Sequence, residues 1–148
     1  MSGFALVATG APELTKSDYW ATPRRAFDEL DAEFKFSIDV CALPETAKCD
    51  RFFTPEDDAL KQEWRGRCFC NPPYSDIKPW FAKAKAEIEA GRCELVVFQV
   101  PTRTGTDWWH EYAQFCEIRW IRGRLKFNDG LKDAPFDCCL VIMRRENP

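Results

Sequence analysis

A pair of prolines placed directly after a short apolar run constrains this chain more than any other feature. Cys68-Phe69-Cys70 reads as a buried strand, and Asn71-Pro72-Pro73-Tyr74 follows it. Each proline fixes its own φ, lacks an N–H and drives the residue before it into an extended conformation, so neither strand nor helix continues through the pair. Open α/β sheets carry their chemistry where strands run out, and this stiff bend holds carbonyls that no helix consumes. With the Asn71 side-chain oxygen beside the Pro72 carbonyl, both hydrogens of one planar amino group find acceptors, and the Tyr74 ring offers a face for stacking. An aromatic amine drains its lone pair into its ring. Two acceptors on its hydrogens return that pair to nitrogen, which suits an amine attacking a methyl donor. A proline-rich turn without a chemical role is the plain alternative.

The rest of the chain reads as alternating helices and strands. Thr22 is placed to cap a helix that opens at Pro23, with Ala26, Phe27, Leu30 and Phe34 at near-helical spacing. Phe36 to Val40 alternates as a strand, and a second short strand is expected near Arg51-Phe52-Phe53. Ile77 to Ala90 is rich in Ala, Lys and Glu and stops at Gly91, as a helix does. Leu95 to Val100 is a continuous apolar run bounded by Pro101, the mark of a strand covered on both faces, and it is expected at the centre of the sheet. Thr106 to Phe115 reads as a helix, Ile118 to Ile121 as a strand, and Leu125 to Phe127 with Phe136 to Met143 as a late hairpin-like pair. No internal repeat or low-complexity linker interrupts this mixed α/β pattern.

A chain of 148 residues is the size of one compact core, and 45% hydrophobic and 14% aromatic residues suffice to build it. Residues 1–17 are expected to be an N-terminal extension and 18–148 the domain. No apolar run approaches a membrane span, and Met1 to Thr15 does not resemble a signal peptide, so an intracellular, cytoplasmic protein without membrane contact is expected. Eight cysteines raise the question of a disulfide scaffold or a metal site. Two are adjacent, Cys138-Cys139, and Cys68 and Cys70 alternate on a strand, while no C-x-x-C pair and only one histidine, His110, are present. Free buried thiols are the better account, and no metal is expected. The net charge of −3 does not advertise a nucleic-acid binder. Basic residues are nevertheless unevenly placed, with Arg24 and Arg25 after the Thr-Pro, Arg103 in a loop, and Arg119, Arg122, Arg124 and Lys126 crowded into one stretch that suits a phosphate backbone.

Four landmarks occur in a telling order. Asp18-Tyr19-Trp20-Ala21-Thr22-Pro23, then Ile38-Asp39-Val40-Cys41-Ala42, then Asn71-Pro72-Pro73-Tyr74-Ser75, then Gly123-Arg124-Leu125-Lys126-Phe127 together resemble the phage-type DNA N6-adenine methyltransferases (Dam-like). That resemblance implies a compact, single-domain Rossmann-like S-adenosylmethionine-dependent methyltransferase fold, with a mostly parallel sheet and an antiparallel strand near the end. It implies methyl transfer from S-adenosylmethionine to the exocyclic amine of adenine in double-stranded DNA, and a phage or prophage origin. Catalysis would rest on Asn71, Pro72, Pro73 and Tyr74.

The resemblance also suggests a donor site. Thr22 and Pro23 match the segment placed against the methionine part of the donor. Asp39, at the end of the first strand, would hold the donor's ammonium or a nearby loop, and Asp58 would accept from the donor's adenine amine, with Asp57 an equal candidate on chemistry alone. Related enzymes follow the first acid with glycines, yet residues 40–48 contain none. Either Cys41 and Ala42 are small enough for close approach, or donor contact shifts toward Trp20, Thr22 and Asp58, with Asn71 between the two half-sites. DNA recognition falls to residues 101–109, where Arg103, Thr104 and Trp108 suit base flipping, although at least one of Trp108 and Trp109 belongs to the core. Arg124 is expected to meet a phosphate or the pocket. An NPPY turn also occurs in enzymes acting on RNA or on protein glutamine, and a degenerate, DNA-binding module is the non-enzymatic alternative.

Overall fold

The computed structural model describes residues 21–127, 132–133 and 135–145, with residues 127, 132 and 133 described by their backbone alone. The expected extension, residues 1–17, and Trp20 lie outside the described residues. Helix α1 spans Arg24–Phe34, α2 spans Lys78–Glu89 and α3 spans Asp107–Glu111. The strands are β1 (Ile38–Asp39), β2 (Gly66–Cys70), β3 (Cys93–Pro101), β4 (Glu117–Trp120), β5 (Lys126–Phe127), β6 (Lys132–Asp133) and β7 (Cys138–Arg144). Among the described residues, no helix is long and apolar enough to cross a membrane.

Five strands form one sheet in the order β1-β2-β3-β7-β4, and β5 pairs with β6 in a separate ribbon. β1, β2 and β3 are parallel; β7 is antiparallel to both β3 and β4. β4 therefore runs in the same direction as β3, with β7 wedged between them. The apolar run through Leu95–Val100 is central, as its two-sided hydrophobicity requires. The late hairpin expected between residues 125–127 and 136–143 does not form. β7 is buried along most of its length, and only an interior place in the sheet covers both faces of Cys138-Cys139-Leu140-Val141-Ile142-Met143, so β5 is left to pair locally with β6.

Alternation along β3 divides the core. Val96, Phe98 and Val100 face the side carrying Trp80, Phe81, Trp108 and Trp109 from α2 and α3. Leu95 and Val97 face the other side with Phe34, packed under α1 together with Leu30 and Phe36. Phe27 of α1 is buried and meets Phe69 of β2 edge-on at 5.1 Å, burial worth about 1.5–3 kcal/mol for such a side chain. The start of β2 favours Gly66, whose φ is 79° and whose Cβ would stand 2.7 Å from Ser37 Oγ, so any other residue there would be strained. Buried Glu87 of α2 ties the helix to the segments that enter β2 and β3, accepting from Trp64 N at 2.7 Å and pairing with Arg92. All eight cysteines are free, six of them buried.

The path between β1 and β2 positions the candidate site. After β1 the chain returns beside it on its outer edge, where Phe52 bridges Asp39 in parallel, and then crosses to the opposite edge to enter β2. Only this one-residue bridge forms where a second strand was expected, backed by bonds from Asp39 N to Arg51 O and from Phe53 N to Asp39 O. Strand order thus reverses about β1, and in open α/β sheets ligands bind beyond the carboxyl ends of the strands at such a reversal, here those of β1 and β2.

Candidate active site

Asn71-Pro72-Pro73-Tyr74 leaves β2 at this reversal. Asn71 is half-buried, and Pro72, Pro73 and Tyr74 are buried. The Pro73 carbonyl accepts from Asp76 N at 3.2 Å, which closes the turn leading into α2. Among the described residues the Pro72 carbonyl accepts no hydrogen bond, so it remains available as an acceptor. Asn71 Nδ2 donates to Thr22 Oγ1 at 3.0 Å. Because an amide carries its oxygen and nitrogen on opposite sides of one plane, this bond fixes which way Asn71 Oδ1 is turned.

Thr22 takes that role in place of the helix cap expected of it. α1 begins one residue later than Thr22-Pro23 suggests, with Pro23 at the boundary and no side-chain cap. The Thr22 hydroxyl, in a side chain 3% exposed, is spent on Asn71.

A second contact reaches the turn from β3. Arg103 Nη1 donates to the Tyr74 carbonyl at 2.7 Å, and the Arg103 carbonyl accepts from Thr106 Oγ1 at 2.8 Å, so the loop carrying the guanidinium is itself braced. Arg103 was expected to face DNA; in the structure it faces the tetrapeptide. Thr104 is exposed beside it. Trp108 requires a correction. It is buried and stacks on Phe81 at 5.4 Å, and Phe81 stacks in turn on Phe98, so it fills the core and is not placed to fill a gap in DNA. Trp109 is buried too. Tyr74 also differs from expectation: its ring is 2% exposed and meets Phe136 edge-on at 5.7 Å, with its hydroxyl 3.5 Å from Gln99 Nε2. Burial holds the Tyr74 phenol far above its ordinary pKa.

Asp39 is buried at the end of β1. Its Oδ1 accepts from Cys41 N at 3.2 Å and its Oδ2 from Lys48 N at 3.1 Å. Of the two roles open to this carboxylate, holding a nearby loop is the one the geometry displays: it pins both ends of the glycine-free segment. Burial pushes the carboxyl up to about 7, while the Lys48 and Cys41 amides hold it lower than burial alone would. Cys41 and Ala42 are buried, and their N–H groups are spent on Asp39 and on Phe53 O. They therefore offer a donor small side chains rather than backbone N–H groups.

Asp57 and Asp58 part company. Asp57 Oδ2 accepts from Thr54 N at 2.8 Å and from Thr54 Oγ1 at 3.1 Å, closing its own turn. Asp58 has a φ of 54°, a left-handed conformation that Asp tolerates better than most residues. Its side chain is 47% exposed and among the described residues meets only the Lys61 ammonium, at 3.6 Å, which leaves it acceptor capacity to spare. Asp58 thus has acceptor capacity facing solvent, whereas both oxygens of Asp39 already accept backbone N–H groups.

Of the basic stretch near the end of β4, Arg119 is committed elsewhere. Its guanidinium meets Glu33 at 2.6 and 2.7 Å and Glu117 at 2.8 Å. Arg124 is exposed and meets exposed Asp137 at 3.7 Å, a loose surface pair. Among the described residues, no group of three or more His, Cys, Asp or Glu is placed to hold a metal ion.

Comparison with known proteins bears on the same segments. The family model described as DNA N-6-adenine-methyltransferase (Dam) matches residues 11–147. A DNA N-6-adenine-methyltransferase of Haemophilus phage HP1 is 41% identical over 70 residues, covering 45% of this chain and 40% of the relative. One of Escherichia phage T1 is 30% identical over 129 residues, covering 84% of this chain and 53% of the relative. A putative methyltransferase, YfdM, of Escherichia coli is 35% identical over 71 residues, covering 43% of this chain and 74% of that protein. The chain thus spans about half the length of the two phage relatives. The match over residues 11–147, which includes the Asn71-Pro72-Pro73-Tyr74 turn at the end of β2, places this chain in the DNA N-6-adenine-methyltransferase (Dam) family.

Proposed function

We propose that the protein is a DNA adenine N6-methyltransferase with a Rossmann-like donor-binding sheet, using S-adenosylmethionine as methyl donor and double-stranded DNA as substrate. The observation that carries this reading is the Asn71 amide at the end of β2, oriented by Thr22 and followed by a Pro72 carbonyl that accepts no hydrogen bond among the described residues. Bound S-adenosylmethionine supplies an electrophilic methyl group. The remaining work falls to the chain. Asn71 Oδ1 and the Pro72 carbonyl accept the two hydrogens of the target amine and raise the electron density on its nitrogen. Such preorganised acceptors need no rearrangement as charge develops. No general base is required, because the methylated amine is strongly acidic and half-exposed Asn71 leaves water within reach of its proton. Positioning then carries the rate.

Asp58 would hold the donor's adenine amine, and Thr22, Pro23, Cys41 and Ala42 would line its path. Trp20 would join them from the segment preceding Ala21. Asp39 serves this site through the loop that it pins. Arg103 fixes the turn, and Arg124 and Thr104 remain for DNA. A target base has to be flipped out of the duplex to reach Asn71, and for Tyr74 to stack on it Phe136 has to swing off the ring. Acting on DNA places the protein in the cytoplasm of a host cell. Calorimetry tests the two half-sites: Asn71→Ala should retain donor affinity and lose transfer, and Asp58→Ala should weaken donor binding. Equal loss of donor binding in both variants would refute the division.

A further inference from the structure

Trp120 carries one of only two large hydrophobic side chains exposed among the described residues, at 68%; the other is Phe115, at 74%. They lie at opposite ends of β4. β4 runs with β3, so its last residue, Trp120, points toward the end of the sheet that carries the Asn71 turn, and Phe115 precedes the far end. Register fixes the level. Trp120 pairs with Cys139, and Cys139 pairs with Val100, two residues beyond Phe98, the partner of Cys70. Trp120 is thus level with Pro72 and three strand spacings away, about 14 Å across the sheet. That separation corresponds to about four base-pair steps of duplex.

The chain beyond Trp120 is basic. Arg122 and Arg124 are exposed on either side of Gly123, whose φ of 74° bends the chain in open space. Among the described residues Arg122 has no carboxylate partner, and Arg124 has only loose Asp137. Arg119 is tied down by Glu33 and Glu117, so the positive charge open to a partner sits on Arg122 and, more loosely, on Arg124. An exposed indole followed by the unpaired Arg122 and the loosely paired Arg124 matches what a nucleic-acid strand offers, phosphates for the cations and a flat base or sugar for the ring.

We propose that Trp120, Arg122 and Arg124 form a second DNA-contact surface beside the transfer site, with Arg122 and Arg124 on the phosphates and Trp120 packed on a nucleotide that flanks the target. It takes over part of the role that buried Trp108 cannot fill. The inference rests on the DNA-methylation reading above and adds to it a surface for the flanking duplex.

The test measures binding of a fluorescein-labelled, adenine-containing duplex by anisotropy over a salt series, with methyl transfer by the wild-type protein measured alongside. Trp120→Ala should weaken binding about tenfold or more, the scale of one lost base-aromatic stack, and Trp120→Phe should restore most of it. Arg122→Ala should lower the slope of log K against log salt by about 0.9, the contribution of one phosphate contact. Phe115→Ala, equally apolar and exposed but at the far end of β4, should bind like wild type, with melting temperatures confirming that every variant folds. If the wild-type protein methylates adenine and the Trp120 and Arg122 variants bind normally, the surface is refuted and the enzyme reading stands. If Phe115→Ala weakens binding as much as Trp120→Ala, or if Trp120→Ala changes the sedimenting mass instead of the affinity, the patch has another role. Absence of both duplex binding and adenine methylation in the wild type would overturn the two together.

Discussion

Replacing Arg103 separates two roles that the sequence does not distinguish. If its guanidinium met a phosphate, Arg103→Ala would weaken DNA binding and flatten its salt dependence by about 0.9 in slope. The structure instead shows Arg103 Nη1 donating to the Tyr74 carbonyl at 2.7 Å in a half-buried setting. A hydrogen bond to a charged group contributes about 1.5–3 kcal/mol, and about 1.4 kcal/mol is a factor of ten in rate. If most of that energy is spent holding the turn in its productive shape, kcat should fall by about tenfold to a hundredfold. KM for DNA and the salt slope should not move. Paired and mismatched duplexes should lose rate equally, because the defect lies in the turn and not in opening the base pair. Arg103→Lys, able to supply one donor without the planar fork, should recover part of kcat. Steady-state kinetics against duplex concentration at several salt concentrations reads all of this. A raised KM with intact kcat, or a selective loss on paired duplex, would refute the argument and return Arg103 to the DNA.

Two further outcomes follow from the buried polar groups around the turn. Thr22→Val keeps the shape of the side chain and removes the acceptor for Asn71 Nδ2, so transfer should drop about tenfold or more while Thr22→Ser retains it; single-turnover rates set beside calorimetric donor affinity decide, and a loss confined to donor affinity would place Thr22 on the donor instead. Asp39, pushed up to about 7 by burial, binds its proton more tightly folded than unfolded, so its stabilising contribution is full below the unfolded value and is lost as pH rises through 7. Between about pH 5.5 and 7.5 the loss should be about 2 kcal/mol, read from urea denaturation, and Asp39→Asn should abolish that dependence.

Local chemistry made several elements legible. Pro72-Pro73 ended β2 where an acceptor turn was expected, Gly91 lies just past α2 with a positive φ, and the apolar Leu95–Val100 run occupies the middle of the sheet. What local chemistry cannot report is competition among partners far apart in the chain. A threonine before a proline reads as a helix cap, yet Asn71, 49 residues away, claims its hydroxyl. The position of β7 depends on which strand offers two apolar faces, a property of the assembled sheet, so its separation from β5 could not be read from residues 125–143. Arg103 and Trp108 share the loop and short helix that leave the sheet beside the turn, and their residue types suit DNA. Only tertiary packing reveals that one braces a carbonyl and the other stacks on Phe81. Trp120 carried no motif, and its exposure on a short strand is the signal that singles it out.

The atom that receives the methyl group defines the enzyme. Purified protein incubated with methyl-labelled S-adenosylmethionine and duplex DNA, followed by digestion to nucleosides and mass spectrometry, measures it directly. Label should appear on N6-methyladenine, none on cytosine C5 and none on protein, with the signal abolished in Asn71→Ala. Label on cytosine C5 or on a protein amide, or undiminished adenine methylation in Asn71→Ala, would contradict adenine methylation at the Asn71 turn.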